Sequence, residues 1–459
     1  MRALWSFGLV IGLASAPAMA QVRALWHDFY NASGYETRLA DWALDAQGNL
    51  YVLASLRQPE GNDALALLRY TLYGARQSVE LFGQNDPYQE VGFALHLRPD
   101  NTLYIVAQVR EPVLTGVDQE TLIYLYPNLT TPYYVSEGVP VGTHILANVA
   151  GHDALLWISN PPAFGRIAGG VSSYTPLSFL DRALSLSVNP LNLLVSVSGW
   201  RGGETGRTAT YALGAATGLP AAAATLSGQF GFVAEAFPVS ENNIIVLWGA
   251  GNEAQMRMYG PDGIEAHALS LTTAYGADNT LYAYIWASEE DGSADLIRLD
   301  PATQTRMWTY SFPRFHLRAW AVDADGRVHL LGFDPEGFAL WRLEPDGTPH
   351  RLSCAPPRQE MSWFHDSFLC LPIARGRWLI GSSAYRIDPI YEQIEPFHSV
   401  VGLYAMRGDT DGDGCVNDAD LQTVLFGFGS GDPEADVNGD GVVDDSDLLE
   451  VLFHFGLGC

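Results

Sequence analysis

Most of the chain repeats one pattern of apolar and polar positions. Between Leu39 and Met406, an alternating run leads into a turn rich in Gly, Asn or Asp and then into a second alternating run, as in AWAVDADGRVHLLGF. Alternation with a period of two predicts strands with one buried face, and these turn residues tolerate the positive φ of tight hairpins. Each copy is followed by a third strand-like run. The turns of the eight copies lie near Gly48, Asn101, Asp153, Asn192, Asn243, Asn279, Gly326 and Gly376.

The spacing of these turns, 36 to 53 residues, is typical of a β-propeller, in which each blade is one small sheet. A single small sheet cannot bury both of its faces, whereas blades arranged around an axis bury the faces of their neighbours. Two β-sandwiches would also show short strands, but the repetition of one phrase argues against them. The phrase resembles the blades of NHL-like and related propellers, which bind sugars or proteins.

The sequence therefore predicts a mainly β fold, with a seven- or eight-bladed propeller over residues 21–407. The segment from Ala183 to Leu226 is the least regular, which keeps seven blades as the alternative to eight. The opening run Val22–Tyr30 is a candidate strand that closes the ring against the last blade, at the run VVGLYAM.

After residue 407 the pattern changes to two copies of an acidic loop, offset by 27 residues. Acidic or amide side chains recur at loop positions 1, 3, 5, 9 and 12, with Gly at position 6, which is the pattern of an EF-hand calcium loop. Alternate side chains of a coiled loop can point to one centre, and calcium needs six to eight oxygen ligands. We therefore predict two bound Ca²⁺ ions. The candidate ligands, including the carbonyls of Cys415 and Val442, are Asp409, Asp411, Asp413, Cys415, Asn417, Asp420, Asp436, Asn438, Asp440, Val442, Asp444 and Asp447.

Each loop is followed by an apolar stripe with the period of a helix. Its members are Leu421, Val424, Leu425 and Phe428, and then Leu448, Val451, Leu452 and Phe455. We expect the two stripes to pack against each other, and Gly429 and Gly456 to end the helices.

Two loop–helix repeats of this kind over residues 408–459 resemble a type I dockerin. In that family the module binds a cohesin domain and attaches its protein to a scaffold or a cell surface, so the resemblance implies a cohesin-like partner. Another interpretation is a cap that packs on its own propeller. Four carboxylates in each loop repel one another without a cation, and the module is short. We therefore expect calcium binding and folding of the tail to be one event, with the propeller nearly indifferent to the ion.

The charge and the first twenty residues indicate where the protein acts. A formal net charge of −27 excludes nucleic acid and an anionic membrane surface as main partners. Arg2, an apolar run from Leu4 to Ala14 and the small residues Ala18 and Ala20 predict a signal peptide over residues 1–20. No later run is long and apolar enough to span a membrane. The sequence thus predicts a secreted or cell-surface protein.

Four cysteines allow three disulfide pairings in an exported protein. Proximity in sequence favours Cys354 with Cys370. That choice leaves Cys415 with Cys459, which would join the start of the tail to its end.

The sequence contains no HExxH, GxSxG, P-loop or CxxC motif. We therefore favour a non-catalytic binding or scaffold protein whose propeller takes a glycan or protein ligand. The alternative is a carbohydrate-active hydrolase, a glycoside hydrolase or lyase, because dockerin-like tails are typically carried by polysaccharide-degrading enzymes. Acidic residues near the blade turns could pair for glycoside cleavage. These residues are Asp41, Asp45, Asp323 and Asp325.

Overall fold

The computed structural model covers the predicted propeller and the tail, and in several strands it describes the backbone alone. The structure describes residues 21–459 except for residues 34, 58–62, 73, 83–88, 98–102, 114–115, 127–132, 135–143, 147–153, 160–161, 169–170, 179, 189–193, 202–204, 213–221, 226–231, 241–242, 251–252, 260–270, 276–279, 287–292, 301–304, 355–362, 375, 387–396, 433 and 439–440. The predicted signal peptide lies outside the described residues.

The described strands form eight antiparallel sheets, here called blades, and the first strand, β1 (Val22–Tyr30), belongs to the last of them. Blade 1 comprises β2 (Glu36–Leu44), β3 (Asn49–Arg57), β4 (Ala64–Thr71) and β5 (Arg76–Phe82); blade 2 comprises β6 (Gln89–Leu97), β7 (Leu103–Val113), β8 (Gly116–Tyr126) and β9 (Tyr133–Tyr134). Blade 3 comprises β10 (His144–Leu146), β11 (Ala154–Ser159), β12 (Ala163–Ala168) and β13 (Val171–Pro176); blade 4 comprises β14 (Arg182–Val188), β15 (Leu194–Arg201), β16 (Thr205–Ala212) and β17 (Ala222–Thr225).

The remaining blades follow the same order along the chain. Blade 5 comprises β18 (Phe232–Ser240), β19 (Asn243–Ala250) and β20 (Glu253–Tyr259); blade 6 comprises β21 (Leu271–Tyr275), β22 (Leu281–Trp286), β23 (Ala294–Asp300) and β24 (Thr305–Phe312). Blade 7 comprises β25 (His316–Val322), β26 (Val328–Asp334), β27 (Gly337–Leu343) and β28 (Pro349–Ser353); blade 8 comprises β29 (Trp363–Ala374), β30 (Arg377–Arg386), β31 (His398–Met406) and β1. Eight sheets agree with the eight-bladed alternative, and the irregular segment forms blade 4.

The ring is closed by strands from the two ends of the propeller. Strand β1 pairs antiparallel with β31, with Val22 opposite Met406 at one end and Tyr30 opposite Ser399 at the other. The prediction of a closing strand at Val22–Tyr30 is therefore confirmed.

The repeated Asp-x-x-Gly phrase corresponds to one type of turn. In blade 1, Oδ1 of Asp45 accepts hydrogen bonds from the backbone amides two and four residues further on, and Oδ1 of Asp323 does the same in blade 7. Gly48 and Gly326 follow with φ of 80° and 79°, where a side chain would be strained. In these two blades the phrase therefore builds the same hairpin turn.

The core lies between neighbouring blades. Leu50, Val52 and Leu68 of blade 1 form one apolar cluster with Leu379 and Val401 of blade 8. A side chain of this size contributes about 1.5–3 kcal/mol when it is fully buried. The contacts between blades thus supply the burial that a single sheet lacks.

The tail contains two helices, α1 (Asp418–Gly427) and α2 (Asp445–His454). Each helix ends at a phenylalanine C-cap, which is followed by a glycine with φ of 80° or 86° (Gly429 and Gly456). The predicted helix ends are therefore confirmed. No helix in the described part of the chain is long and apolar enough to cross a membrane.

The tail packs on the propeller rather than standing apart from it. Val424 and Val451 are buried in the same apolar cluster as Trp378, Ile380 and Met406 of blade 8 and its end. Each predicted apolar stripe is therefore divided. Its central valine faces the propeller, whereas Leu425 and Leu452 remain about half exposed.

One of the two predicted disulfides is confirmed and the other is wrong. Cys415 and Cys459 are bonded, whereas Cys354 and Cys370 are buried free thiols. Both free cysteines pack in the apolar cluster that blades 7 and 8 share with the tail, where a reduced cysteine behaves as a small hydrophobic residue. Burial raises the pKa of Cys370 to about 12, so its thiol stays protonated and unreactive.

Candidate metal centre

The first loop of the tail brings three carboxylates together. One oxygen from each of Asp409, Asp411 and Asp413 lies within 4.8 Å of the others. Asp409 is only 5% exposed, and its two oxygens accept hydrogen bonds from the amides of Gly412 at 2.8 Å and Gly414 at 2.9 Å. The backbone thus coils around the first carboxylate, as positions 1, 3 and 5 of the pattern predicted.

The last carboxylate of each loop joins the loop to its helix. Asp420 is fully buried, and its Oδ1 accepts hydrogen bonds from the amide and hydroxyl of Thr410 at 2.6 and 3.0 Å. The second loop repeats this arrangement, since Oδ1 of Asp447 accepts a hydrogen bond from the amide of Asn438 at 2.8 Å. These hydrogen bonds close both loops against the first turn of α1 and α2.

The residues at loop position 9 have a role that sequence analysis missed. Oδ1 of Asn417 accepts a hydrogen bond from the amide of Ala419, and Oδ1 of Asp444 accepts one from Ser446, both at 2.7 Å. Both residues are helix N-caps in reciprocal capping boxes. The signal was present, because Asn or Asp followed three residues later by an acidic residue approximates a capping box. The only side-chain oxygen of Asn417 is therefore already engaged by the helix.

The second loop is described in part. Oδ2 of Asp436 accepts a hydrogen bond from the amide of Gly441 at 2.7 Å. In the first loop, Oδ2 of Asp409 accepts the equivalent hydrogen bond from the amide of Gly414. Asp440 lies outside the described residues. The described parts of the two loops therefore form the same turn. The cluster of three carboxylates is described in the first loop.

The chemistry of the first loop fits calcium. Burial, together with the negative charges of Asp420 and Asp411, raises the pKa of Asp409 to about 7 against the opposing amide hydrogen bonds. A divalent cation would favour the charged form of these groups. The converging donors are carboxylate oxygens, which suit hard Ca²⁺ rather than the nitrogen and sulfur sites of zinc. The cysteine at position 7 is bonded to Cys459, so it can offer only its carbonyl.

The acidic residues near the blade turns have structural partners. Asp41 accepts hydrogen bonds from the amides of Trp42 and Leu95, both at 2.8 Å, the second of which links blade 1 to blade 2. Asp45 accepts a hydrogen bond from the hydroxyl of Tyr51 at 3.2 Å, in addition to its turn bonds.

In blade 7, the guanidinium of Arg327 forms ion pairs with both Asp323 and Asp325. These two carboxylates therefore share an arginine within their own turn. Each of the four acidic residues in blades 1 and 7 thus contributes to a turn or a contact between blades.

No family model matches this chain, and no curated protein matches it. Among solved structures, the C-terminal WD40 domain of Sif2 aligns at 11% identity and a TM-score of 0.45, covering 80% of this chain and 96% of that one. An unknown-function protein from Dyadobacter fermentans aligns at 12% identity and a TM-score of 0.41, with coverage of 84% and 100%. The propeller domain of the Trilobed protease from Pyrococcus furiosus aligns at 12% identity and 0.38, covering 69% and 97%.

At these identities the likeness concerns the fold alone. The blades described above identify a β-propeller, which is compatible with a binding or scaffold role.

Proposed function

We propose that this protein is a secreted or cell-surface binding or scaffold protein. Its propeller recognises a glycan or protein ligand, and its tail is a dockerin-like module that binds two calcium ions and attaches the protein to a cohesin-like partner. The signal-peptide pattern of residues 1–20 supports export. The duplicated acidic loops support the assignment of calcium.

The observation that carries the proposal is a set of large apolar side chains that the tail exposes to solvent. Phe426 on α1 is 87% exposed and Phe453 on α2 is 80% exposed, although both helices bury another side against the propeller. The two phenylalanines occupy equivalent positions of the duplicated sequence. Their exposed apolar neighbours, which also occur in equivalent pairs, are Leu425, Phe428, Leu452 and Phe455.

Several large apolar side chains exposed on one small module are typical of a binding site. The propeller covers the buried residues of both helices, so the exposed side chains are available to a second partner. A folded protein domain fits them, because large aromatic side chains supply much of the energy at protein interfaces.

Calcium would act on these exposed side chains through the helices that carry them. When bound, the ion would neutralise the loop carboxylates and join them to one centre. Asp409, Asp411, Asp413 and Asp420 would hold the first ion. Because Asp420 and Asp447 belong to the first turns of α1 and α2, the loops would fix the direction in which both helices leave them.

A binding assay with purified cohesin domains tests the proposal. We expect binding in millimolar calcium and its loss in chelator. Replacing both Phe426 and Phe453 with alanine should weaken binding about 30-fold or more, which is the loss expected for an interface hot spot. Leu25→Ala is the matched control, because Leu25 is 47% exposed on the propeller and should leave binding unchanged. Equal binding by the double variant would contradict the proposal.

The alternative function is a carbohydrate-active hydrolase, and the observation that favours it is the tail itself. Dockerin-like modules are typically carried by polysaccharide-degrading enzymes. A screen of glycan binding and glycan hydrolysis separates the two functions. If the protein hydrolyses a glycan and loses this activity when one propeller carboxylate is substituted, the binding-only proposal is wrong and the protein is a hydrolase.

A further inference from the structure

The propeller forms hydrogen bonds to the backbone of the first calcium loop. The amide of Gly376 donates a hydrogen bond to the carbonyl of Gly412 at 3.2 Å. Nη2 of Arg377 donates to the carbonyl of Thr410 at 2.7 Å. Two adjacent residues of blade 8 thus bind the loop through its backbone.

A third propeller residue extends this contact. Arg342 on β27 is fully buried, and its Nη1 and Nη2 donate hydrogen bonds to the carbonyls of Gly414 at 3.1 Å and Gly458 at 2.7 Å. Gly458 precedes Cys459, whose disulfide holds Cys415 at loop position 7. One arginine therefore connects blade 7 to the loop and to the end of the chain.

The positions of these contacts leave the ligands free. The carbonyls held by the propeller belong to loop positions 2, 4 and 6, whereas the carboxylates that converge belong to positions 1, 3 and 5. The propeller donors therefore fix the shape of the loop without competing for the ion.

Gly376 also limits the space behind the first ligand. A Cβ added there would overlap Oδ2 of Asp409 and lie 2.8 Å from its Cγ. Only glycine allows the propeller backbone to approach the carboxylate this closely. The position of Asp409 is thus set partly by blade 8.

The second loop lies in different surroundings. A Cβ added at Gly441 would meet no atom within 4 Å, whereas one added at Gly412 of the first loop would lie 3.1 Å from Nε of Arg377 on the propeller. Val442 is 50% exposed. Near this loop the propeller residue Arg23 lies close enough for its charge to act on Asp436 and Asp447.

On the basis of the calcium assignment proposed above, we infer that the first calcium site is built by both the tail and the propeller. Gly376, Arg377 and Arg342 are its positioning residues, and they make the first loop bind calcium more tightly than the second loop does. A loop held in its binding shape loses less conformational entropy when the ion enters. By linkage, calcium in the first loop strengthens the docking of the tail on the propeller by the same factor. The propeller then responds to calcium, contrary to the expectation from sequence that it is indifferent.

The test is calorimetric titration of the full-length, chelator-treated protein with calcium chloride. Asp436→Ala leaves only the first loop able to bind, and Asp411→Ala leaves only the second. In the first-loop protein, Arg377→Met should raise the calcium Kd about tenfold, the factor that corresponds to one lost hydrogen bond. Gly376→Ala should raise it at least as much, because the added Cβ would displace the carboxylate of Asp409. Arg377→Lys should restore part of the affinity, since lysine keeps a donor. In the second-loop protein the same changes should alter Kd less than about twofold.

Arg351→Met is the matched control, because Arg351 on the same blade as Arg342 pairs with Asp334 and Glu336 of its own blade. It should leave both sites unchanged. A merely structural role for Gly376 or Arg377 would lower the melting temperature equally in calcium and in chelator. Equal weakening of both sites, or no weakening of the first, would overturn the inference. Two calcium ions bound to the wild-type protein would still support the calcium assignment in that case. A wild-type protein that binds no calcium would overturn the assignment, and the inference with it.

Discussion

The indole N–H of Trp378 donates a hydrogen bond to Nδ1 of His329, with 2.9 Å between the two nitrogens. Because Nδ1 accepts, the neutral imidazole carries its proton on Nε2 and donates it to Oδ2 of Asp323, 3.0 Å away. Trp378 and His329 are fully buried. This chain of hydrogen bonds therefore joins the core of blade 8 to a turn of blade 7.

These groups predict that the propeller loses stability in acid. Burial lowers the pKa of His329 below its ordinary 6.5, so below that pH the unfolded chain binds a proton that the folded chain does not. The free energy of unfolding should therefore fall as the pH drops below 6.5. Asp323 adds to this at lower pH. Burial raises its pKa, but hydrogen bonds from His329 and the Arg327 amide outweigh burial and lower the pKa to about 2. Its contribution is complete above about pH 4 and is lost as the pH approaches 2.

His329→Gln isolates the histidine, because glutamine can keep both hydrogen bonds but does not titrate. Urea unfolding from pH 7.5 to about pH 4.5 should show a smaller loss of stability in the variant than in the wild type. Identical slopes for the two proteins would show that folding does not lower the pKa of His329.

Removal of Arg342 should destabilise the protein strongly. Its side chain is fully buried and forms an ion pair with Glu344, Nε to Oε1 at 3.0 Å, besides its hydrogen bonds to the tail. Arg342→Leu removes the donor to both tail carbonyls and leaves Glu344 paired with Arg327, and breaking a buried pair of this kind typically costs about 3–5 kcal/mol. Arg351→Leu, at an arginine whose side chain is 22% exposed, should cost less, because Asp334 keeps hydrogen bonds from the Glu336 amide and the Trp341 indole. Chemical denaturation measures both changes, and equal costs would contradict the structural role of Arg342.

The cysteines should divide into one bond and two protected thiols. Peptide mapping without reduction should find Cys415 linked to Cys459, and Cys354 and Cys370 should react with alkylating reagent only after unfolding. Reduction of the bond should cost about 2–4 kcal/mol on the chain-entropy model. A bond between Cys354 and Cys370 in the native protein would contradict the structure.

Features that depend on local patterns could be predicted from the sequence. The Asp-x-x-Gly turns, the closing strand Val22–Tyr30 and the ends of the two helices follow from residue types within a few positions of one another. The same holds for the carboxylates of the first loop, because Asp409, Asp411 and Asp413 are alternate residues in one coiled segment. The local spacing of residues was therefore sufficient to predict most of the secondary structure and the candidate site.

Features that depend on distant contacts could not be predicted. Arg342 contacts residues 72 and 116 positions further along the chain, and no local pattern marks it as a support for the calcium loop. The same limit explains the wrong disulfide, since Cys354 and Cys370 are near in sequence but belong to different blades and pack as thiols. It also explains why half of each helical stripe proved exposed, because periodicity identifies an apolar side but not its partner.

The most direct test of the account counts calcium ions on the intact protein by native mass spectrometry. We predict two ions on the wild type, one on Asp409→Ala and none on the double variant in which Asp436 is also replaced by alanine. Each change removes the first ligand of one loop, so the losses should occur one at a time, although the shared core can weaken the remaining site. Two ions on the double variant, or none on the wild type in calcium, would contradict the account that the duplicated loops are the calcium sites.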